Sequence, residues 1–270
     1  MENHPKPLFL RSLSRAEGLT QRYRTLHVAG RDAASFLQGQ LTQDVTRVVA
    51  GQLRLAALLT PQGRVLATPW LGSREESILL LLPAPLAAPV RDGLQRYVLR
   101  AKVAISLAEL DAGLTALLAE TLAARCPDPP GADADADTSW TLALIAAGHP
   151  EIGMATSGEW IPQMLNLDLL DAISMTKGCY TGQEIVARTQ NLGRIKRRMF
   201  RYAAAGAAPP EPKAALYAGG HKVGEVVLAA PTATGSELLA VVNLDAREAP
   251  LALADGTTCR PAPLPYAVPA

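Results

Sequence analysis

The sequence predicts an α+β protein with an antiparallel sheet, followed by a small β-barrel or sandwich. Two observations lead to this fold class. In the first half, strand and helix patterns follow in the order strand, helix, three strands, helix, strand, which differs from the strict alternation of a parallel sheet. After Arg201, short apolar runs alternate with turns such as Gly219-Gly220 and Asp255-Gly256, which is typical of small all-β domains. The phosphate-binding motifs GxGxxG and GxxxxGK[ST] are absent from the sequence.

Each element of the first half has a local signal. Asp32 is a helix N-cap candidate, Pro61 and Gly63 suit a hairpin turn, and an apolar face continues to Tyr97 at helical spacing. The predicted elements are, in order, a tail (1–18), a strand (23–28), a helix after residue 32, a hairpin (51–59 and 64–71), a buried strand (78–82), a helix (85–97), a strand (102–107) and a helix (113–124).

The second half begins with a loop. Residues 127–138 contain prolines and Asp-Ala repeats, which favour an exposed loop, and a short helix starts near Trp140. The Ala/Pro/Gly-rich stretch after Arg201 indicates a boundary near residues 200–210. We therefore expect a tail (1–18), an α+β region (19–202) and a C-terminal barrel domain (203–270).

Composition and charge exclude several classes of protein. The chain of 270 residues is 49% hydrophobic and 19% charged, with a net charge of +1, so overall charge does not favour nucleic acid or membrane. Residues 1–15 contain no apolar signal segment, and the longest apolar run, 78–82, is too short to span a bilayer. Cys126, Cys179 and Cys259 are scattered without metal-ligand spacing. We expect a cytoplasmic protein with no membrane partner and no metal site of its own.

The stretch from Lys177 to Glu184, KGCYTGQE, holds the strongest chemical signal. Thr181 and Glu184 have the Thr-x-x-Glu spacing of a capping box, which predicts a helix start with Thr181 as the N-cap. Cys179 would then precede a helix N-terminus and lie near Lys177, and both favour the thiolate form of its side chain. The alternative is a small buried cysteine beside an ordinary helix start.

The same octapeptide carries a family resemblance. With Gly178, Tyr180, Gly182 and Gln183 included, it resembles the signature of YgfZ-type proteins, which are folate-binding relatives of the glycine-cleavage T-protein. Residues 36–44, 160–163 and 193–197 are also similar to the family's segments, in the same order. The resemblance implies a T-protein-like ring of two interleaved α+β lobes plus a C-terminal barrel, with tetrahydrofolate or another reduced folate in its channel.

The resemblance also implies site residues. Tyr23, where the family usually has Trp, and Trp140 correspond to aromatics linked to folate binding; the alternative is that they are core aromatics. Apart from the resemblance, the sequence has a dense basic run, Arg194, Lys196, Arg197, Arg198 and Arg201. It could bind a folate polyglutamate tail, an acidic partner or RNA, or form a solvated face.

The resemblance implies a role in iron–sulfur cluster assembly or repair. The main functional hypothesis is therefore an accessory protein of that process that binds folate and acts through Cys179 and Lys177. Its partners would be assembly or client proteins, with only an indirect effect on tRNA modification and no direct nucleic-acid partner. A lone cysteine cannot hold a cluster, so any cluster would be transient and shared.

Two alternatives stay open. The first is a tetrahydrofolate-dependent aminomethyl or one-carbon transferase. The resemblance implies that such transferases have a catalytic Asp after the strand that here spans 78–82. This strand continues as Pro83-Ala84-Pro85, without an Asp. That absence counts against an enzyme. The second is a folate-sensing module that docks to an RNA-modifying enzyme.

Overall fold

The first half of the chain is built around a five-stranded antiparallel sheet. The computed structural model describes residues 17–126, 134–191, 195–206 and 208–269. Its helices and strands are α1 Glu17–Arg22, β1 Tyr23–Ala29, α2 Ala33–Gln38, β2 Arg54–Leu55, β3 Leu58–Leu59, β4 Val65–Ala67, β5 Trp70–Arg74, β6 Ser77–Pro83, α3 Ala84–Gln95, β7 Ala104–Glu109, α4 Ala112–Ala123, α5 Ala136–Ala146, α6 Gln183–Asn191, β8 Arg197–Ala205, β9 Ala215–Ala218, β10 His221–Thr232, β11 Gly235–Asn243, β12 Leu251–Ala252 and β13 Thr258–Ala262. The sheet has the order β2-β5-β6-β1-β7, which confirms the predicted antiparallel α+β arrangement.

Helix α3 covers this sheet. It packs against β1, β6 and β7 and buries Leu86, Val90 and Leu94, as the helical spacing predicts. The prediction that Tyr97 belongs to this apolar face is wrong. The helix ends at Gln95, so Tyr97 falls in the following turn and is 53% exposed.

The predicted hairpin forms, but its second strand is interrupted. β3 and β4 pair across the turn, where the Thr60 amide donates to the Arg64 carbonyl at 2.8 Å. The predicted strand 64–71 breaks at Pro69, because proline has no amide to donate to a ladder. The Pro69 carbonyl instead accepts from the Ala56 amide at 3.0 Å, and β5 enters the five-stranded sheet.

Six strands of the C-terminal part close into a barrel. Their order is β10-β11-β8-β13-β12-β9, which confirms the predicted small β-barrel. Inward-facing apolar residues, among them Tyr202, Leu216 and Cys259, fill its core, and burial raises the pKa of the Cys259 thiol to about 11. β8 begins at Arg197, so the barrel starts before residue 203.

The described residues fall into two compact units, each made of separate stretches of chain. One unit is drawn from Met1–Arg22, Asp111–Pro150 and Phe200–Ala267; the other is drawn from Tyr23–Leu110, Glu151–Met199 and Val268–Ala270. The predicted division at 19–202 and 203–270 stays a prediction. The predicted tail, up to residue 16, and residues 127–133 of the predicted loop lie outside the described residues.

Helix α5 lies in the unit that contains the barrel, and it packs on β10 and β11. It begins inside the predicted loop 127–138, because the Asp135 side chain accepts from the Asp137 and Thr138 amides at 3.1 and 3.0 Å and caps its first turn. No helix in the described part of the chain is long and apolar enough to cross a membrane.

Candidate functional site

Two sequence segments meet in the sheet-containing unit. We call residues 36–44 the glutamine segment and residues 174–182 the cysteine loop. The Ser174 amide donates to the Thr42 carbonyl at 2.9 Å, and the Thr181 amide donates to the Gly39 carbonyl at 3.1 Å. The cysteine loop is therefore held at both ends by backbone hydrogen bonds to the glutamine segment.

Lys177 adds a third attachment between the two segments. Its Nζ donates to the carbonyls of Leu41 at 2.7 Å and Gln43 at 2.9 Å, and it lies 5.1 Å from the ring centroid of Tyr180. Burial lowers the pKa of Lys177 to about 8, an effect that the nearby Asp44 carboxylate opposes. At neutral pH the side chain is still mainly an ammonium. Its contacts in this structure are those of a residue that positions the loop.

The side chains of the glutamine segment brace the backbone around this attachment. Gln43 is fully buried and donates to the carbonyls of Leu55 and Asp171. The Thr42 hydroxyl donates to the Ala172 carbonyl at 2.7 Å and accepts from the Ala57 amide at 2.8 Å. These bonds satisfy buried polar groups and fix the acceptors that Lys177 uses.

The capping box predicted for Thr181 and Glu184 is wrong. The Thr181 amide is already bonded to Gly39, and within the described residues no hydrogen bond joins Thr181 to Glu184. The helix α6 begins instead at Gln183, whose Oε1 accepts from the Tyr180 amide at 3.3 Å. Through this bond, Gln183 holds the backbone of the loop at Tyr180, a role that the sequence did not predict. It also places Cys179 further from the helix N-terminus than predicted.

The two glycines of the motif differ. Gly182 has φ of +80°, and a Cβ there would lie 2.7 Å from the Thr60 carbonyl oxygen, so only glycine fits. A Cβ at Gly178 would have no atom within 4 Å. Gly178 therefore borders open space, and packing does not require it to be glycine.

Cys179 is the exposed thiol of the described chain; Cys126 is half-buried and Cys259 is buried. For the backbone amides of residues 175–179, the structure gives no hydrogen-bond partner among the residues it describes. Met175, Thr176, Gly178 and Cys179 are exposed, and Lys177 between them is half-buried. No group of three or more His, Cys, Asp or Glu side chains within the described ranges could hold a metal ion.

A buried ion pair, Arg198 with Asp168, is connected to helix α6 through Gln163. Arg198 donates from Nη1 and Nη2 to the two Asp168 carboxylate oxygens, each at 2.8 Å, and both side chains are nearly inaccessible. Arg198 also donates to the Gln163 backbone carbonyl at 3.1 Å, and the side-chain Nε2 of Gln163 donates to the Val186 carbonyl of α6 at 2.9 Å. Asp168 is therefore a buried carboxylate that holds Arg198 in place.

The remaining predicted basic residues are not part of this cluster. Lys196 is exposed and Arg197 is half-buried, while Arg194 lies outside the described residues. The sequence predicted Arg198 as a member of the basic run, but did not predict its buried pair with Asp168. Alternate residues of a strand face the same side, and Arg198 alternates in this way with the buried Tyr202 and Ala204 of β8. This alternation could have indicated that Arg198 is buried.

Both aromatics predicted to contact folate are buried. Tyr23 is 1% exposed, and its hydroxyl donates to the Glu151 carboxylate, a buried acid that the sequence reasoning did not single out. Trp140 lies on α5 and is 0% exposed. The two residues belong to different compact units. Neither ring presents a free face for stacking in this structure.

Comparisons with known proteins place the chain. No family model matches it. Its fold is that of the glycine cleavage system aminomethyltransferase T from Bartonella henselae, with a TM-score of 0.67 over 96% of this chain and 89% of that one at 14% identity. An uncharacterized protein of Haemophilus influenzae is 36% identical over 70% of this chain and 73% of its own length. The tRNA-modifying protein YgfZ of Colwellia psychrerythraea is 30% identical over 66% of this chain and 68% of its own. The chain belongs to the family of the tRNA-modifying protein YgfZ.

Proposed function

We propose that this chain is a folate-binding accessory protein of iron–sulfur cluster assembly or repair, that its effect on tRNA modification is indirect, and that the Cys179 thiol is its working group. The single observation behind the thiol role is the exposed Cys179 on a loop that three attachments hold to the glutamine segment. The family name supports the link to tRNA modification, and the aminomethyltransferase fold supports folate as a ligand.

The loop suits an anionic sulfur or a thiolate. The amides of residues 175–179 can donate to negative charge at or beside the thiol, as fixed backbone dipoles do in other anion sites. A cluster normally takes four ligands, so a single Cys179 would contact a cluster, or a sulfur species, only together with an assembly or client protein. In this proposal Lys177 acts through the loop that it positions.

The folate contacts of Tyr23 and Trp140 stay a prediction. As they stand, the two residues do not fit a stacking role, because their rings are enclosed by protein. A folate that stacks on either ring requires the surrounding residues to open. Titration of the protein with tetrahydrofolate by calorimetry, repeated with Tyr23→Ala and Trp140→Ala, tests folate binding separately from the thiol.

The thiol role is tested by complementation. A bacterial strain that lacks its own YgfZ-type protein receives this chain, its Cys179→Ala variant or a Cys126→Ala control. The readouts are the activity of an iron–sulfur enzyme and the nucleoside profile of digested tRNA. We expect Cys126→Ala to restore both and Cys179→Ala to restore neither. Full restoration by Cys179→Ala would refute the thiol role.

One observation favours the transferase alternative. The sequence lacks an Asp after β6, but Tyr23 pairs opposite Pro83 at the end of that strand and donates to the Glu151 carboxylate. Glu151 therefore supplies a buried acid connected to this strand end. Turnover of an aminomethyl donor with tetrahydrofolate, lost in Glu151→Gln, would support an enzyme.

A further inference from the structure

The turn that joins α3 to β7 displays an unusual set of side chains. Three cations, one aromatic and one leucine are exposed within seven residues, namely Arg96, Tyr97, Leu99, Arg100 and Lys102. Tyr97 is 53% exposed and Leu99 is 85% exposed. No Asp or Glu occurs from residue 93 to residue 108, and the structure places the Asp32 carboxylate beside Lys102. The three cations of the turn still exceed this one acid, on a chain whose net charge is only +1.

Backbone hydrogen bonds fix this turn at both ends. The Tyr97 amide donates to the Leu94 carbonyl at 2.9 Å, and the Leu99 amide donates to the Tyr97 carbonyl at 3.0 Å. At the other end the Lys102 amide donates to the Asp32 carboxylate at 2.7 Å. The side chains are therefore presented from an ordered backbone, which reduces the entropy that binding would cost.

Packing and helix capping explain little of this composition. The C-terminal dipole of α3 favours a cation at Arg96, which is its C-cap residue. It does not account for Arg100 and Lys102, which lie beyond the helix, or for an exposed ring beside an exposed leucine. Scattered exposed apolar residues are ordinary, but here Tyr97 and Leu99 lie between Arg96 and Arg100.

We propose that this turn binds a single-stranded polynucleotide, with Arg96, Arg100 and Lys102 on the phosphates and an unpaired base stacked on Tyr97. Bases offer flat apolar faces that suit the exposed ring and Leu99, and the backbone supplies the anions. An acidic peptide would use the cations but would leave the ring without a matching partner. The proposal goes beyond the indirect link to tRNA and does not depend on the chemistry of Cys179.

The test is fluorescence anisotropy of labelled 12-nucleotide oligo-U and oligo-dT with the full-length protein between 50 and 300 mM salt. Three phosphate contacts predict a slope of log K against log salt of about −2, because each contact on a single strand contributes about −0.7. The contacts invoked do not use the 2′-hydroxyl, so both probes should bind. Either probe alone binding with the expected slope also supports the site.

The variants separate the two kinds of contact. Arg100→Ala should make the slope less steep by about 0.7. Tyr97→Ala should leave the slope unchanged and weaken binding roughly 5- to 100-fold, whereas Tyr97→Phe should bind like the wild type. Lys222→Ala, which removes an exposed cation of the barrel unit, is the control and should change neither quantity.

Two results would overturn the proposal. One is no binding of either oligonucleotide at 50 mM salt by wild-type protein at 100 μM. The other is a labelled 12-residue polyglutamate that binds as tightly as oligo-U and is indifferent to Tyr97→Ala, which would assign the turn to an acidic protein partner. All substituted side chains are exposed, and circular dichroism of each variant checks that the fold is retained.

Discussion

Replacing Lys177 with Met tests whether this lysine positions the cysteine loop. A hydrogen bond from a charged donor is worth about 1.5–3 kcal/mol, so the two bonds to Leu41 and Gln43 contribute about 3–6 kcal/mol. Burial opposes them. The lowering of the pKa from 10.5 to about 8 corresponds to about 3.4 kcal/mol, which partial solvent exposure reduces to about 2 kcal/mol. The variant should therefore lose about 1–4 kcal/mol of unfolding free energy at pH 7.

The difference in unfolding free energy between wild type and Lys177→Met should also depend on pH, in a direction that the pKa of Lys177 determines. The folded state releases the Lys177 proton near pH 8 and the unfolded state near pH 10.5, so between these values the unfolded state binds more protons. The wild type therefore gains stability as pH rises, by about 1 kcal/mol between pH 7 and pH 9.5 after allowance for solvent exposure, and Lys177→Met lacks this gain. The stability difference between the two proteins should widen with pH.

Urea unfolding followed by circular dichroism at pH 7.0, 8.0, 9.0 and 9.5 measures both effects. Lys222→Met is a matched control, because Lys222 is exposed and its pair with Glu225 lies on the surface. It should change the unfolding free energy by less than about 1 kcal/mol. A difference between wild type and Lys177→Met that is absent at pH 7, or that narrows as pH rises, would refute the reasoning.

Three further predictions concern the surroundings of the loop. Gly182→Ala should cost at least about 2 kcal/mol in urea unfolding, since an L-residue at positive φ is strained and its Cβ would meet a carbonyl oxygen. Asp168→Asn should cost about 3–5 kcal/mol by the same assay, because it leaves the buried Arg198 guanidinium without its carboxylate, and a loss below 1 kcal/mol would contradict the pair. Mass spectrometry after brief alkylation of native protein should find Cys179 modified and Cys259 unmodified until urea is added.

Local patterns predicted the parts of the fold that depend on neighbouring residues. The burial of Leu86, Val90 and Leu94 follows from helical spacing, and the β3–β4 hairpin follows from its Pro and Gly turn. The same patterns fail where an element ends. Spacing alone predicts that α3 extends to Tyr97, and an apolar run alone predicts a strand that continues through Pro69. Neither signal shows which backbone hydrogen bonds form, and these bonds determine where an element ends.

Contacts between distant residues explain what the sequence could not predict at the site. Lys177 finds its acceptor on Leu41 across 136 residues of chain, and no local pattern encodes which carbonyl a lysine will reach. The capping box failed for the same reason, since Gly39 takes the Thr181 amide that Glu184 was expected to bind. No local pattern marks Asp168 as buried, because its partner Arg198 lies 30 residues further along the chain.

These contacts divide the signature into residues that hold the loop and residues that the loop presents. Lys177, Gly182 and Gln183 each hold part of the loop backbone in place, so their loss should lower stability and activity together. Gly178 and Cys179 have no such task among the described residues; one borders open space and the other is exposed. Loss of activity at unchanged stability is therefore the behaviour that separates a working thiol from a bracing residue. Because the attachments at Ser174, Lys177 and Thr181 lie on both sides of Cys179, we infer that this network limits the movement of one exposed sulfur atom.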